Sequence, residues 1–212
     1  MPDDYRNTEF CPQLIDIGAR KKAVADMIKS NHPCARDMHI YVSKNKEPYK
    51  RAFIEAYNGK CSYCGASILI IPIDSFEIDH FIYKEDPRFK TKADAGYIEN
   101  LVLACRRCNR AKSSLVVPDE FHKYLHPDKP GIRETSIRDD DFYIKISAEK
   151  SEDEDIRRFY DKLELGAEVH RLDFLLINML GLQTKIPETS TANKIMGEAI
   201  KLLKYKRNLM IG

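Results

Sequence analysis

Apolar positions change period along this chain, and the changes mark out its elements. From Pro12 to Ser30, Leu14, Ile15, Val24, Ile28 and several alanines recur at roughly helical spacing, although Gly18 weakens the middle of that helix. Asn31, Pro33 and the polar stretch Ser43 to Glu47 then break the chain. Pro48 suits a first helical turn, so a second helix is predicted from there, with Tyr49, Phe53, Ile54 and Tyr57 on one face and a stop at Asn58-Gly59. Between Ser62 and Ser113 the pattern becomes strand-like. Ile68 to Ile73, Phe76 to Tyr83 and Leu101 to Ala104 read as short strands, the last two separated by a polar, basic loop from Lys84 to Gly96. Cys108 opens a helix that Pro118 ends, giving the order strand, loop, strand, helix.

The second half reads as mainly helical. Asp141 to Ile146 alternates like a half-buried strand. Ser151 followed by Glu154 makes a capping-box pattern ahead of Ile156, Phe159, Tyr160 and Leu163. Leu172 to Leu182 is strongly apolar, and Asn193 to Met210 is amphipathic, with Ile195, Ala199, Leu202 and Leu203 predicted to pack on the core and lysines on the other side. His170, just before the apolar stretch, reads as a packed or capping residue.

Candidate chemistry is concentrated in the strand-like region. Cys61-Ser62-Tyr63-Cys64 and Cys105-Arg106-Arg107-Cys108 are two knuckles at the 2+2 spacing of a closed structural zinc site. A redox CxxC needs one pair beside a βαβ pattern, which this region does not have. Cys11 and Cys34 stand apart and read as ordinary thiols. Between the knuckles lies Glu77-Ile78-Asp79-His80. A carboxylate suits a hard divalent cation, and an imidazole is the natural proton acceptor near neutral pH. Adjacent residues of a regular strand face opposite sides, so Asp79 and His80 serve one site only at a twisted or irregular strand end.

Glu77-Ile78-Asp79-His80, Asn100-Leu101 and Cys105-x-x-Cys108-Asn109-x-x-Lys112 together resemble the signature of HNH endonucleases, the zinc-stapled branch of the ββα-metal nucleases. The resemblance covers about residues 57 to 115. It implies an α+β fold in which a zinc-stapled ββα-metal nuclease core is embedded in a mainly α-helical protein. The expected division is 1–47, an N-terminal helical segment; 48–118, the nuclease domain with its zinc; and 119–212, a mainly helical region with one short strand. By the same resemblance, Asp79 and Asn109 ligate a catalytic divalent metal, His80 is the general base, and Asn100 holds the loop or the His80 ring. Cys61, Cys64, Cys105 and Cys108 hold structural Zn²⁺. The expected products carry 5′-phosphate and 3′-hydroxyl ends. Where the family's name has a final His, this chain has Asn109, and a neutral amide oxygen is harder than imidazole, which points to Mg²⁺ or Mn²⁺.

Composition adds bounds rather than identity. The net charge of +2 is too small to announce a nucleic-acid binder, so local cations carry that expectation. Arg106, Arg107, Arg110 and Lys112 around the final helix are expected to contact phosphates, with Lys84, Arg88, Lys90 and Lys92 in the loop as further candidates. Glu77 and Glu99 read as structural or as support for the metal. No apolar run approaches the ~20 residues that span a bilayer. The opening residues also lack an export-signal layout, giving an expectation of a cytoplasmic protein that does not engage membranes. DNA is the expected substrate. The alternatives are a zinc-ribbon nucleic-acid-binding subunit that is silent alone, and an RNA-directed nuclease. The segment Glu168-x-His170-Arg171-Leu172-Asp173 is loosely similar to small HNH proteins of bacterial anti-phage systems of the Septu or retron type, which implies a partner ATPase or other defence subunit.

Overall fold

The computed structural model describes residues 4–43 and 47–210. Residues 44–46, inside the predicted polar break, and residues 1–3, at the start of the stretch read for an export signal, lie outside the described residues. The protein is α+β. Helix α1 spans Ile17–Asn31, α2 His39–Ser43 and α3 Tyr49–Ala56. Strands β1 (Phe76–His80) and β2 (Leu101–Cys105) form an antiparallel hairpin with Phe76 opposite Cys105 and His80 opposite Leu101. Helix α4 (Arg106–Lys112) leaves β2 without a break.

The second half adds short helices α5 (His122–Leu125) and α6 (Ile132–Thr135), then strands β3 (Ser136–Arg138) and β4 (Ile144–Ile146). It ends with helices α7 (Glu154–Lys162), α8 (Glu168–Gln183) and α9 (Thr191–Leu209). One apolar core runs from Tyr5 to Leu165 and includes Ile28, Phe53, Tyr57, Leu101, Leu103, Ile144 and Phe159. It crosses both of the expected boundaries, at 47/48 and at 118/119, so the hairpin and α4 share their interior with the flanking helices. No helix among the described residues is long and apolar enough to cross a membrane.

Several local predictions are corrected by side-chain chemistry. Ile68 to Ile73 is a turn, not a strand. The Ser67 carbonyl accepts from Ile70 and Ile71, the Ser67 hydroxyl accepts from Leu69, and Pro72 has no N–H to continue a ladder. β1 stops at His80 because the next residues are gripped by Asn100 instead of pairing. The cap of α7 is Asp153, not Ser151: its carboxylate accepts the N–H groups of Asp155 at 3.1 Å and Ile156 at 3.2 Å. Where one strand was expected there are two, β3 and β4, joined by a turn in which Asp139 accepts from Asp141 and Tyr143. The apolar side predicted for α9 does not pack on the core. Ile195 and Leu202 are 61% and 70% exposed, whereas Ile200 and Arg207 are the buried residues of that helix.

Candidate active site

The zinc knuckles meet because β2 delivers Cys105 to the first turn of α4, opposite the loop that carries Cys61 and Cys64. Backbone bonds fix that loop: Cys61 donates to Ala66 at 2.8 Å and Ser62 donates to Leu103 of β2 at 2.7 Å. Arg6, buried, donates to the Ser62 carbonyl from outside. Gly65 turns the chain at φ +80°, where a Cβ would lie 2.7 Å from the Arg6 carbonyl oxygen, so glycine is required both by conformation and by space. All four sulfurs are buried and lie within 4.8 Å of one another, with Cys64 and Cys105 3.8 Å apart. A tetrahedron with Zn–S bonds of about 2.3 Å has edges of about 3.8 Å, so this donor set fits zinc. Crowding raises the need for a cation. Hydrogen bonding with Cys105 comes first among the causes that push the Cys64 and Cys108 thiols well above their ordinary range. Burial opposes ionisation of Cys61, yet hydrogen bonds from Cys105, Cys108 and Cys64 bring it well below that range. Four thiolates would leave zinc no open position, so its contribution is to hold the hairpin to the helix.

On the hairpin's outer face, period-two alternation turns Glu77 and Asp79 toward α4, while 3.6-residue periodicity brings Asn109 and Lys112 to meet them. The result is two polar rungs between strand and helix. In the first, the Asn109 amide nitrogen donates to Glu77 at 2.7 Å, and Arg106 joins Glu77 at 3.2 Å. In the second, Lys112 lies 3.1 Å from each Asp79 oxygen and donates to the His80 carbonyl at 2.7 Å. Tyr63, from the first zinc knuckle, completes this rung by donating to Asp79 at 2.6 Å. Asp79 is 6% exposed. Burial lifts its carboxyl above the ordinary range, against the opposing pull of Lys112 and the Tyr63 hydroxyl.

Asp79 and Asn109 thus sit on successive rungs of one strip, a carboxylate and an amide whose oxygen is left free by the Glu77 bond. Those two donors suit a hard divalent cation. Lys112 does not meet the expectation of a phosphate contact: it is fully buried, and its charge is spent on Asp79 and the His80 carbonyl.

His80 ends β1 on the other side, partly exposed, with the His39 ring of α2 against it at 4.4 Å between centroids and tilted by 37°. Burial first, then the His39, Lys112 and Lys84 charges, lower its pKa to about 3, which leaves the imidazole unprotonated at neutral pH but a weaker base than a free histidine. Asn100 is buried and holds the loop rather than the ring. Its amide oxygen accepts from Ile82 at 2.7 Å, its nitrogen donates to Ile82 and Ala95, and its carbonyl accepts from Phe81. Of the cations on α4, Arg107 pairs with Glu164 at 2.6 Å and Arg106 with Glu77. Arg110 is exposed with no ion pair among the described residues. In the loop, Arg88 is tied to Asp86 and Asp119 and Lys92 to Glu85, while Lys84 and Lys90 are exposed.

His39 and Tyr63 are the site residues that sequence reading did not find. Nothing local marks His39, whose ring reaches β1 by a hydrogen bond with the Ile78 backbone, while Asp37 accepts the His39 N–H at 2.9 Å. Tyr63 is hidden between two cysteines, and only the closed knuckle turns its hydroxyl to Asp79.

An antiparallel hairpin running into a helix, stapled at one end by four cysteines and polar along its face, is a ββα unit of the zinc-stapled type. Residues 61–115 match the family model described as HNH endonuclease, so the chain carries an HNH endonuclease domain there. The matched span contains the four cysteines, Asp79, His80, Asn100, Asn109 and Lys112. No curated protein and no solved structure matches the chain.

Proposed function

We propose that this protein is a divalent-metal-dependent endonuclease that hydrolyses phosphodiester bonds of DNA. The observation that carries the reading is His80: an unprotonated, partly exposed imidazole at the end of β1, next in the chain to Asp79, within the span that matches the HNH endonuclease model. His80 would take the proton of the attacking water. Asn100 would keep the backbone after His80 from shifting, which holds the imidazole at a constant distance from the scissile phosphate. Asp79 and Asn109 would hold Mg²⁺ or Mn²⁺, whose chemistry when bound is to neutralise charge on the phosphate and on the departing 3′-oxygen. Arg110, uncommitted and exposed, would contact a neighbouring phosphate, as Arg106 and Arg107 would once released from their carboxylates. The free thiols fit a reducing, cytoplasmic setting.

A second reading is favoured by one observation. Both Asp79 oxygens are engaged, by Lys112 and Tyr63, so this carboxylate must exchange a partner before it ligates a metal. A nuclease held silent until a partner or signal shifts α4 would have this arrangement. The partner ATPase of an anti-phage system is a candidate on the loose resemblance of the 168–173 segment alone.

A plasmid-nicking assay tests the reading, run with Mg²⁺ and then Mn²⁺ on the wild type and His80→Ala, each first shown to be folded and zinc-loaded. Labelled RNA in parallel tubes separates the RNA-directed alternative. Cleavage by the wild type and a loss of about 10²–10⁴-fold in the variant is the expected outcome. Equal cleavage by both proteins contradicts the assignment of His80. Silence of both turns the test to a complex copurified from the native host.

A further inference from the structure

A cleft of about 720 Å³ opens along α4, between that helix, the 71–75 turn ahead of β1, and α8 and α9. Four arginines line it: Arg106, Arg107 and Arg110 from α4 and Arg207 from α9. Glu164 pairs with Arg107, Asp173 with Arg207 and Glu77 of β1 with Arg106, so Arg110 alone has no ion pair among the described residues and gives the cleft its surplus positive charge. The decisive residue is His170. It is 2% exposed, lies against the cleft, and neither ring nitrogen has a hydrogen-bond partner. The buried Nε of Arg107, in the same lining, is also without one. Buried polar groups are nearly always satisfied, and two orphans at one cavity point to a missing ligand rather than to chance. The rest of the wall is mainly apolar, with Ile71, Pro72, Ala111 and Val169 beside Ser75 and Cys105 of the four-cysteine cluster.

We propose that this cleft binds a phosphate monoester carried on a nucleoside-sized body. Cations with unpartnered donors match the phosphate, the apolar wall matches a base or sugar face, and the volume falls within the ~300–1,000 Å³ of small-molecule sites. The depth favours a chain end over a continuous strand, because Arg207 and His170 are buried where an unbroken duplex backbone does not reach. Two sources supply this chemistry, a free nucleotide and the phosphorylated end of a nucleic-acid strand. The site is separate from the Asp79 rung, and the proposal stands without the nuclease reading.

Calorimetric titration of the zinc-loaded full chain, without added divalent metal, tests it. The probes are adenosine 5′-monophosphate, adenosine, and a trinucleotide with and without a 5′-phosphate. The expected result is saturable binding of the phosphorylated probes, with the unphosphorylated ones weaker by about tenfold or more. Arg110→Glu, at an exposed and unpaired position, should weaken binding by at least about tenfold without moving the melting temperature of the free chain. His170→Ala should weaken it too, and His80→Ala should leave it intact. Tighter binding of one phosphorylated probe names the source. Equal affinity with and without phosphate, no binding of any probe, or full affinity in Arg110→Glu would each overturn the proposal.

Discussion

The four-cysteine end and the polar strip lie on the same hairpin and helix, yet they are held together in opposite ways. At the cysteine end, four sulfurs within 4.8 Å cannot all ionise unless a cation joins them. Along the strip, the strand's acids are already neutralised from within, Glu77 by Arg106 and the Asn109 amide, Asp79 by Lys112 and Tyr63. The first region would depend on a bound metal for its fold. The second is folded without one and would have to give up internal bonds to take one. A structural metal and a catalytic metal therefore ask different things of neighbouring residues.

The largest effect should come from breaking the zinc end. Cys105→Ser, or removal of zinc by a chelator, should unfold the hairpin region, since structural zinc contributes on the order of 10 kcal/mol in small zinc domains. Loss of near-ultraviolet circular dichroism together with zinc release would be seen. A variant that keeps its thermal transition while binding no zinc would show that the core from Tyr5 to Leu165 holds the hairpin unaided.

Lys112→Met should cost less, about 3–5 kcal/mol, because it leaves the buried Asp79 carboxylate facing an apolar chain. Adding Asp79→Leu should recover most of that loss, as both charges are then gone. Urea midpoints of the single and double variants measure this. A single variant within about 1 kcal/mol of wild type would mean that Lys112 and Asp79 do not act as a pair.

Acid should weaken both regions by a smaller, graded amount. His126 packs against Phe81 just past β1, the rings tilted by 53°, and His170 lies beside α4 at the cleft. Burial lowers each to about 4 from an ordinary 6.5. The unfolded chain therefore takes up protons that the folded chain refuses. Stability is full above about pH 6.5 and is lost progressively as pH falls toward about 4, at up to about 2.7 kcal/mol per pH unit for these two sites and about 4.1 with His80, which burial lowers further. Urea midpoints between pH 7.5 and 5 should show this, with His126→Gln reducing the slope by about a third. A flat profile in that window would contradict the burial of both rings.

Legibility followed the same divide. The four-cysteine cluster could be read from spacing because a CxxC turn is local and needs no tertiary information. The hairpin and α4 followed from short apolar runs bounded by polar residues, and the structure has Phe76–His80 and Leu101–Cys105 where strands were predicted. The strip was half legible. Alternation puts Glu77 and Asp79 on one face, but their partners come from helix docking, and Lys112 looked like a surface cation when it is the most enclosed group of the rung. His39 was illegible because its approach to His80 depends on α2 crossing the hairpin, a contact between segments 41 residues apart in the chain. The turn at Ile68 to Ile73 misled because apolar content stood in for β structure, while the Ser67 hydroxyl and Pro72 decided the backbone. α9 misled for a related reason: its apolar side was assigned to the core, and packing on α8 selected Ile200 and Arg207 instead.

Titration of Mn²⁺ against the zinc-loaded protein, followed by electron paramagnetic resonance, tests most directly whether the strip is a metal site. The account predicts saturable binding of a single Mn²⁺ that is lost in Asp79→Ala while the four-cysteine zinc and the fold are retained. Undiminished Mn²⁺ binding by Asp79→Ala, or none by the wild type even with DNA present, would contradict it.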